Sequence, residues 1–259
     1  MMHIQIVSDH HLDNLEHCGG VYEAVVDPST GKRVTPVVGY AGKYNAGGGE
    51  QMNWVGDVYY NFAMAESYPR ALAEFARGIC KQITSTQLRV DCILGAPMGG
   101  LAISFALAER LNCRYAFAEK KTTALATETA REQSRLVLDR HELAKGWQVV
   151  LGEDVCNNFS TTEKLIELTH ARGAEVVAII CAINRSMNEG EIVKQYNDGT
   201  GLVIPVISAL EIPTMQYRQD DPHVAEDIEA GRVVWKAKDE WGELVAQMRA
   251  AKEFIQGSM

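Results

Sequence analysis

Apolar and polar positions change rhythm along the chain. Residues 21–26 and 33–40 are short runs rich in Val and Tyr, separated by the turn-forming Asp27, Pro28, Ser29, Thr30 and Gly31, which predicts a β-hairpin. Residues 43–50 hold the consecutive Gly47, Gly48 and Gly49. These argue against a regular element and leave two uses open, close approach of backbone to a ligand or a plain surface loop. Between 57 and 83 the apolar residues Phe62, Leu72, Phe75, Ala76, Ile79 and Ile83 recur at helical spacing, with Pro69 suited to the start of a second helix. From Cys92 onward short apolar runs (92–94, 115–118, 149–152, 176–183, 202–206) alternate with helical stretches (101–111, 161–172). Continuous apolar strands separated by helices predict an α/β fold, a mainly parallel sheet with helices on both faces. In such sheets ligands sit beyond the carboxyl ends of the strands. Residues 222–255 read as two helices around Val233, Val234 and Trp235. The expected organisation is an N-terminal hood over 1–56, a core over 57–210 and a C-terminal helical extension over 211–259.

Composition narrows the classes. The chain is 46% hydrophobic and 23% charged, as globular domains are. Its net charge of −9 argues against a broad basic face for nucleic acid. No run approaches the roughly 18 apolar residues of a membrane span, and residues 1–9 carry neither a basic leader nor a long apolar core, so a cytoplasmic protein is expected. Six cysteines without a C-x-x-C pair read as reduced, mostly buried thiols.

The chemistry concentrates in residues 149–162. An apolar strand runs into Glu153 and Asp154, then a polar loop (Asn157, Asn158, Phe159), then a helix starting near Ser160 or Thr161. Amides at a helix N-terminus, with hydroxyls of Ser160, Thr161 and Thr162, suit a phosphate dianion. Two carboxylates at a strand end suit a vicinal diol. The competing reading is a helix cap whose acids complement the helix dipole. His10 and His11, near Asp9 and Asp13, read as surface rather than as metal ligands. Trp54 is by default a packing residue, with stacking on a base as its alternative use.

Residues 149–162 resemble the phosphoribosyl pyrophosphate-binding motif of type I phosphoribosyltransferases. The likeness extends on both sides. Residues 93–102, including Ala96, Met98, Gly99 and Gly100, resemble the family's pyrophosphate-loop strand and turn. Residues 115–121 resemble the next strand, which ends in basic residues, here Lys120 and Lys121. Residues 173–185 resemble the strand that, in the orotate phosphoribosyltransferase branch, brings an arginine to the orotate carboxylate; Arg185 takes that place.

The resemblance implies transfer of ribose 5-phosphate from phosphoribosyl pyrophosphate to a small base, with orotate the leading candidate, in nucleotide biosynthesis or salvage. It further implies Mg2+ bound through substrate oxygens and a homodimer. Glu153, Asp154 and Lys120 would be the catalytic residues. Ala96, Met98, Gly99, Gly100, Lys121, Asn157, Asn158, Phe159, Ser160, Thr161 and Arg185 would bind substrate. Two departures are visible. Phe159 stands where the family loop has a glycine, and a phenylalanine tolerates positive φ poorly, so the loop is expected to take another conformation or to bind phosphate more weakly, with Asn158 a candidate for the left-handed geometry. Residues 122–131 lack the lysine and glycines of the family's cover loop; Arg131 and Arg135 are the candidate replacements. These departures keep open the alternative of a degenerate family member that binds phosphoribosyl pyrophosphate or a nucleotide for regulation.

Overall fold

The computed structural model describes residues 10–124, 133–197 and 201–257. In chain order the elements are α1 (His10–His17), β1 (Val21–Glu23), β2 (Val37–Gly47), β3 (Glu50–Gly56), β4 (Val58–Tyr60), α2 (Phe62–Glu66), α3 (Pro69–Ser85), β5 (Cys92–Gly95), α4 (Gly100–Leu111), β6 (Arg114–Phe117), β7 (Glu119–Ala124) and β8 (Gln133–Val137). They continue with β9 (Gln148–Cys156), α5 (Ser160–His170), β10 (Glu175–Asn184), β11 (Met187–Asn188), β12 (Glu191–Ile192), β13 (Gln195–Asn197), β14 (Val203–Glu211), α6 (Ala225–Glu229), β15 (Val233–Val234) and α7 (Trp241–Gly257). The chain divides into two compact units, residues 1–18 with 62–213, and residues 19–61 with 214–259.

The first unit is built on a six-stranded sheet in the order β13-β14-β10-β9-β5-β6. All pairings are parallel except that of β13 with β14. Apolar runs fill it from both sides, as burial on two faces requires. Cys92, Leu94, Val149, Leu151, Ile179 and Cys181 pack with Leu165 and Ile166 of α5. On the other face Gly152 and Ile180 meet Ser104 of α4. Pro69 opens α3, whose Ala71, Phe75, Ala76, Ile79 and Ile83 form one buried stripe. Beyond β6 the chain leaves the sheet and forms the antiparallel pair β7–β8. Part of the stretch expected as a cover loop is therefore strand, because Thr122 and its neighbours find backbone partners at Ser134 and beyond.

The second unit corrects two expectations. Residues 21–26 and 33–40 do not pair as a hairpin: β1 pairs with β4, β2 with β3, and only an isolated bridge, Val26 to Arg33, closes the turn between the two runs. The glycine run does not interrupt regular structure either. Gly47, Gly48 and Gly49 all have positive φ, and they turn β2 back on β3. The segment expected to be irregular is a hairpin tip. Val37, Val55 and Val224 form one buried cluster of the unit, and the Trp54 ring packs on Tyr44 at 4.7 Å.

Candidate active site

β5 and β9 are neighbours whose chains depart in opposite directions, β5 toward β6 and β9 toward β10 and β14. This is a switch point, the place where open α/β sheets hold ligands in a crevice beyond the carboxyl ends of the strands. The β5–β9 pairing ends at Gly95 and Gly152. There the Ala96 N–H donates to Gly152 O at 2.8 Å and the turn of residues 96–99 leads into α4. β9 runs on through Glu153, Asp154, Val155 and Cys156 with β10 alone as its partner. The two carboxylates thus sit where one side of the strand has been released, and both are partly exposed.

Successive side chains on a strand point to opposite faces. Glu153 lines a cleft of about 80 Å3 together with residues 155–162. Asp154 lies on the turn: a Cβ added to Gly99 would fall 2.2 Å from Asp154 Oδ2. A Cβ on Gly100 would fall 2.3 Å from Gly152 O. At 100 the obstacle is backbone, so glycine is required there for the turn to seat on β9; at 99 a side chain would displace the Asp154 carboxylate. Ala96 is buried beneath it, and Met98 at its tip is 80% exposed.

The cleft is the end of β9, the polar loop and the first turn of α5, whose early amides have no intrahelical acceptor by geometry. The Asn158 Oδ1 accepts the Ser160 N–H at 3.3 Å. Phe159 itself takes the left-handed conformation, φ +56°. The expectation that phenylalanine would avoid it, leaving Asn158 to adopt it, is overturned. Such a residue pays on the order of 1–2 kcal/mol locally, and the Phe159 ring recovers contact by packing on the core cluster and on Tyr196. Cys156, which also lines the cleft, is no thiolate. A hydrogen bond with Cys181, burial and the nearby carboxylates push its pKa well above the usual thiol range.

The other residues singled out from sequence differ in exposure and partners. Lys120 and Lys121 are exposed on β7, and Lys121 is ion-paired with Asp139. Arg135 is exposed on β8; Arg131 lies outside the described residues. Arg185, expected to face a base, is 5% exposed, and its backbone N–H donates to Cys156 O at 2.9 Å. Ser160 is exposed, Asn157 and Thr161 partly so. A larger groove of about 630 Å3 lies by β12 and β13, but its Lys194 is paired with Glu211 at 3.1 Å. Sequence reading missed Gly152 and Ser104, which pack together beneath the crevice, and Tyr196. A glycine between an apolar strand and an acid pair was the one signal for the first of these.

A family model described as the phosphoribosyl transferase domain matches residues 66–218, more than half of the chain. The chain belongs to this family. Among curated phosphoribosyltransferases it is similar to the orotate phosphoribosyltransferase of Caldanaerobacter subterraneus subsp. tengcongensis, 28% identical over 131 residues, which are 50% of this chain and 62% of that one. It is also similar to the orotate phosphoribosyltransferase of Caldicellulosiruptor saccharolyticus, 25% identical over 164 residues, 63% of this chain and 74% of that one. The chain thus spans less than two thirds of the first relative's length. In fold it is similar to the orotate phosphoribosyltransferase of Aeropyrum pernix, with a TM-score of 0.50 and 17% identity over 77% of this chain and 92% of that one. The phosphoribosyltransferase match covers the whole crevice, from the turn after β5 to the end of β10. Among the described residues no helix is long and apolar enough to cross a membrane.

Proposed function

We propose that this chain is a cytoplasmic phosphoribosyltransferase that joins a small base to phosphoribosyl pyrophosphate and releases pyrophosphate, with orotate the first base to test. The observation that carries the reading is the division of labour between adjacent carboxylates. Glu153 opens on the cleft at the start of α5, and Asp154 lies against Gly99 of the turn after β5. A ribose placed between them would have its 5-phosphate over the amides of residues 157–161, its hydroxyls at the carboxylates and its pyrophosphate toward the turn of residues 96–100. Lys120 and Lys121, on the strand that follows β6 out of the sheet, would be the cations for the leaving group. Displacement at C1 proceeds through a charge-separated, oxocarbenium-like arrangement, so positioning and fixed negative charge are what the protein supplies. Two partly exposed carboxylates are hard oxygen donors of the kind Mg2+ accepts alongside substrate oxygens. When bound there, the ion would neutralise charge on the departing pyrophosphate. Names of relatives at 25–28% identity support orotate as the base; the burial of Arg185 leaves its contact with a base as the least supported of the assignments.

The test is direct. Incubation with phosphoribosyl pyrophosphate, Mg2+ and, separately, orotate, uracil, adenine, guanine and hypoxanthine is expected to release pyrophosphate with one base only and to yield its nucleotide. Binding of phosphoribosyl pyrophosphate without release for any base would support the regulatory alternative, which the substituted loop at Phe159 also favours.

We further propose a homodimer. α4 and the turn before it expose apolar side chains: Phe105 of α4 is 58% exposed and Met98 of the turn 80%, and Phe105 meets the Tyr115 ring of edge strand β6 at 5.6 Å. Large apolar side chains exposed next to one another are ordinarily covered by a partner. Light scattering is expected to give twice the 28.6 kDa of one chain, and Phe105→Glu to give a single chain's mass.

A further inference from the structure

Phe159 is held in the left-handed region by something other than its own preference. Its carbonyl accepts the Glu163 N–H at 2.8 Å, the first bond of α5. Its ring lies against Tyr196, centroids 5.3 Å apart and planes at 53°. Tyr196 belongs to β13, the short antiparallel strand at the sheet's edge, and is only 8% exposed. Its hydroxyl donates to Glu163 Oε1 at 3.3 Å, one turn into α5. Tyr196 therefore grips the start of α5 twice, by its ring on Phe159 and by its hydroxyl on Glu163, and those two residues are themselves joined by the backbone bond.

We infer that Tyr196 is a positioning residue for the phosphate-binding loop: with Phe159 it does, by tertiary stacking, what a glycine does in such a loop by conformational freedom. A glycine reaches positive φ without steric cost but leaves the loop free to sample other states. A phenylalanine at the same φ is disfavoured alone, yet once its ring is seated the backbone at residues 157–161 has one arrangement. In this chain the loop is preorganised from the edge strand, so the antiparallel addition of β13 to an otherwise parallel sheet has a role at the site. The functional consequence rests on the phosphate-binding reading given above; the conformational claim does not.

Four variants separate the two: Tyr196→Ala, Tyr196→Phe, Phe159→Gly, and Tyr196→Ala combined with Phe159→Gly. Amide hydrogen exchange at residues 157–161 is measured against the β10 amides as an internal control, and ribose 5-phosphate binding by calorimetry. Tyr196→Ala is expected to speed exchange in the loop about tenfold or more while β10 is unchanged, and to weaken ribose 5-phosphate about tenfold, as loss of one packed contact does. Tyr196→Phe keeps the ring and should stay within about threefold of the unmodified protein. The double variant should bind more tightly than Tyr196→Ala, because glycine accepts φ +56° without an anchor. Unchanged loop exchange in Tyr196→Ala, or a double variant no better than Tyr196→Ala, would overturn the inference. If Tyr196→Ala does not fold, Tyr196→Leu fills the same space without the aromatic stack, and the same criteria apply. An unmodified protein that fails to bind ribose 5-phosphate would count against the proposed function, and the exchange data would still decide the role of Tyr196.

Discussion

Alanine at Gly152 is expected to disable the crevice, and Ser104→Ala is expected to repair it. The Cβ of an alanine at 152 would lie 2.0 Å from Ser104 Oγ, 3.2 Å from Ser104 Cβ and 3.2 Å from Ile180 Cδ1. Ser104 is fully buried on α4, and α4 is seated closely on β9. Its first residue, Gly100, already touches the carbonyl of Gly152, and the preceding Gly99 touches the Asp154 carboxylate. The added methyl would push α4 outward and carry the turn of residues 96–99 off Asp154. Overpacking of this kind costs about 1–3 kcal/mol of stability. The loss of phosphoribosyl pyrophosphate binding should be larger than that of stability, because the turn and the carboxylate must both meet the ligand. Ser104→Ala by itself should be close to neutral, since among the described residues its hydroxyl has no hydrogen-bond partner to lose. In Gly152→Ala with Ser104→Ala the 2.0 Å clash is gone, leaving only contacts tighter than average. Thermal unfolding and calorimetry on the three variants check this. If Gly152→Ala melts and binds like the unmodified protein, the close-packed junction does not set the turn. If Ser104→Ala fails to improve Gly152→Ala, the hydroxyl is not the obstacle.

How much of this was legible in the residues follows from where each feature gets its energy. Buried parallel strands write continuous apolar runs, so residues 149–152 and 176–183 announced β9 and β10, and the acid pair after the first announced the site. Pro69 marked the start of α3 because its ring suits only the first turn of a helix. Features decided by tertiary contact were silent. Gln195, Tyr196 and Asn197 form an edge strand too short and polar for alternation to register, and only β14 makes them β13. Local preference gave the wrong answer at Phe159, where the Tyr196 ring and the core outweigh the cost of positive φ. The glycines at 47–49 were read as breaking structure, when their positive φ values are what lets β2 and β3 join. The contact between Gly100 and the backbone of Gly152 joins residues far apart in the chain, so no spacing rule could reveal why a glycine was needed there.

Asparagine at Asp154 should leave the fold intact and cost the site most of its affinity for ribose phosphates. The side chains have the same shape, so the close seating on Gly99 survives and thermal stability should change little. What is lost is a charge at a partly exposed position that, in the proposed reading, accepts a hydrogen bond from a ribose hydroxyl. Hydrogen bonds to charged groups contribute about 1.5–3 kcal/mol, so binding or turnover of phosphoribosyl pyrophosphate should fall roughly ten- to a hundredfold. Glu153→Gln should also weaken binding, and the two effects should not simply add, because adjacent residues serving one diol are coupled. The cycle that isolates the contact varies the ligand. Calorimetry compares ribose 5-phosphate with 2-deoxyribose 5-phosphate, on the unmodified protein and on Asp154→Asn. If Asp154 holds the diol through its 2-hydroxyl, the substitution should cost the deoxy ligand much less than the ribose ligand. Equal losses for both ligands would place Asp154 away from that hydroxyl, in general repulsion or attraction at the crevice mouth. No loss for either would remove Asp154 from the site, and the close contact with Gly99 would then be a feature of packing alone.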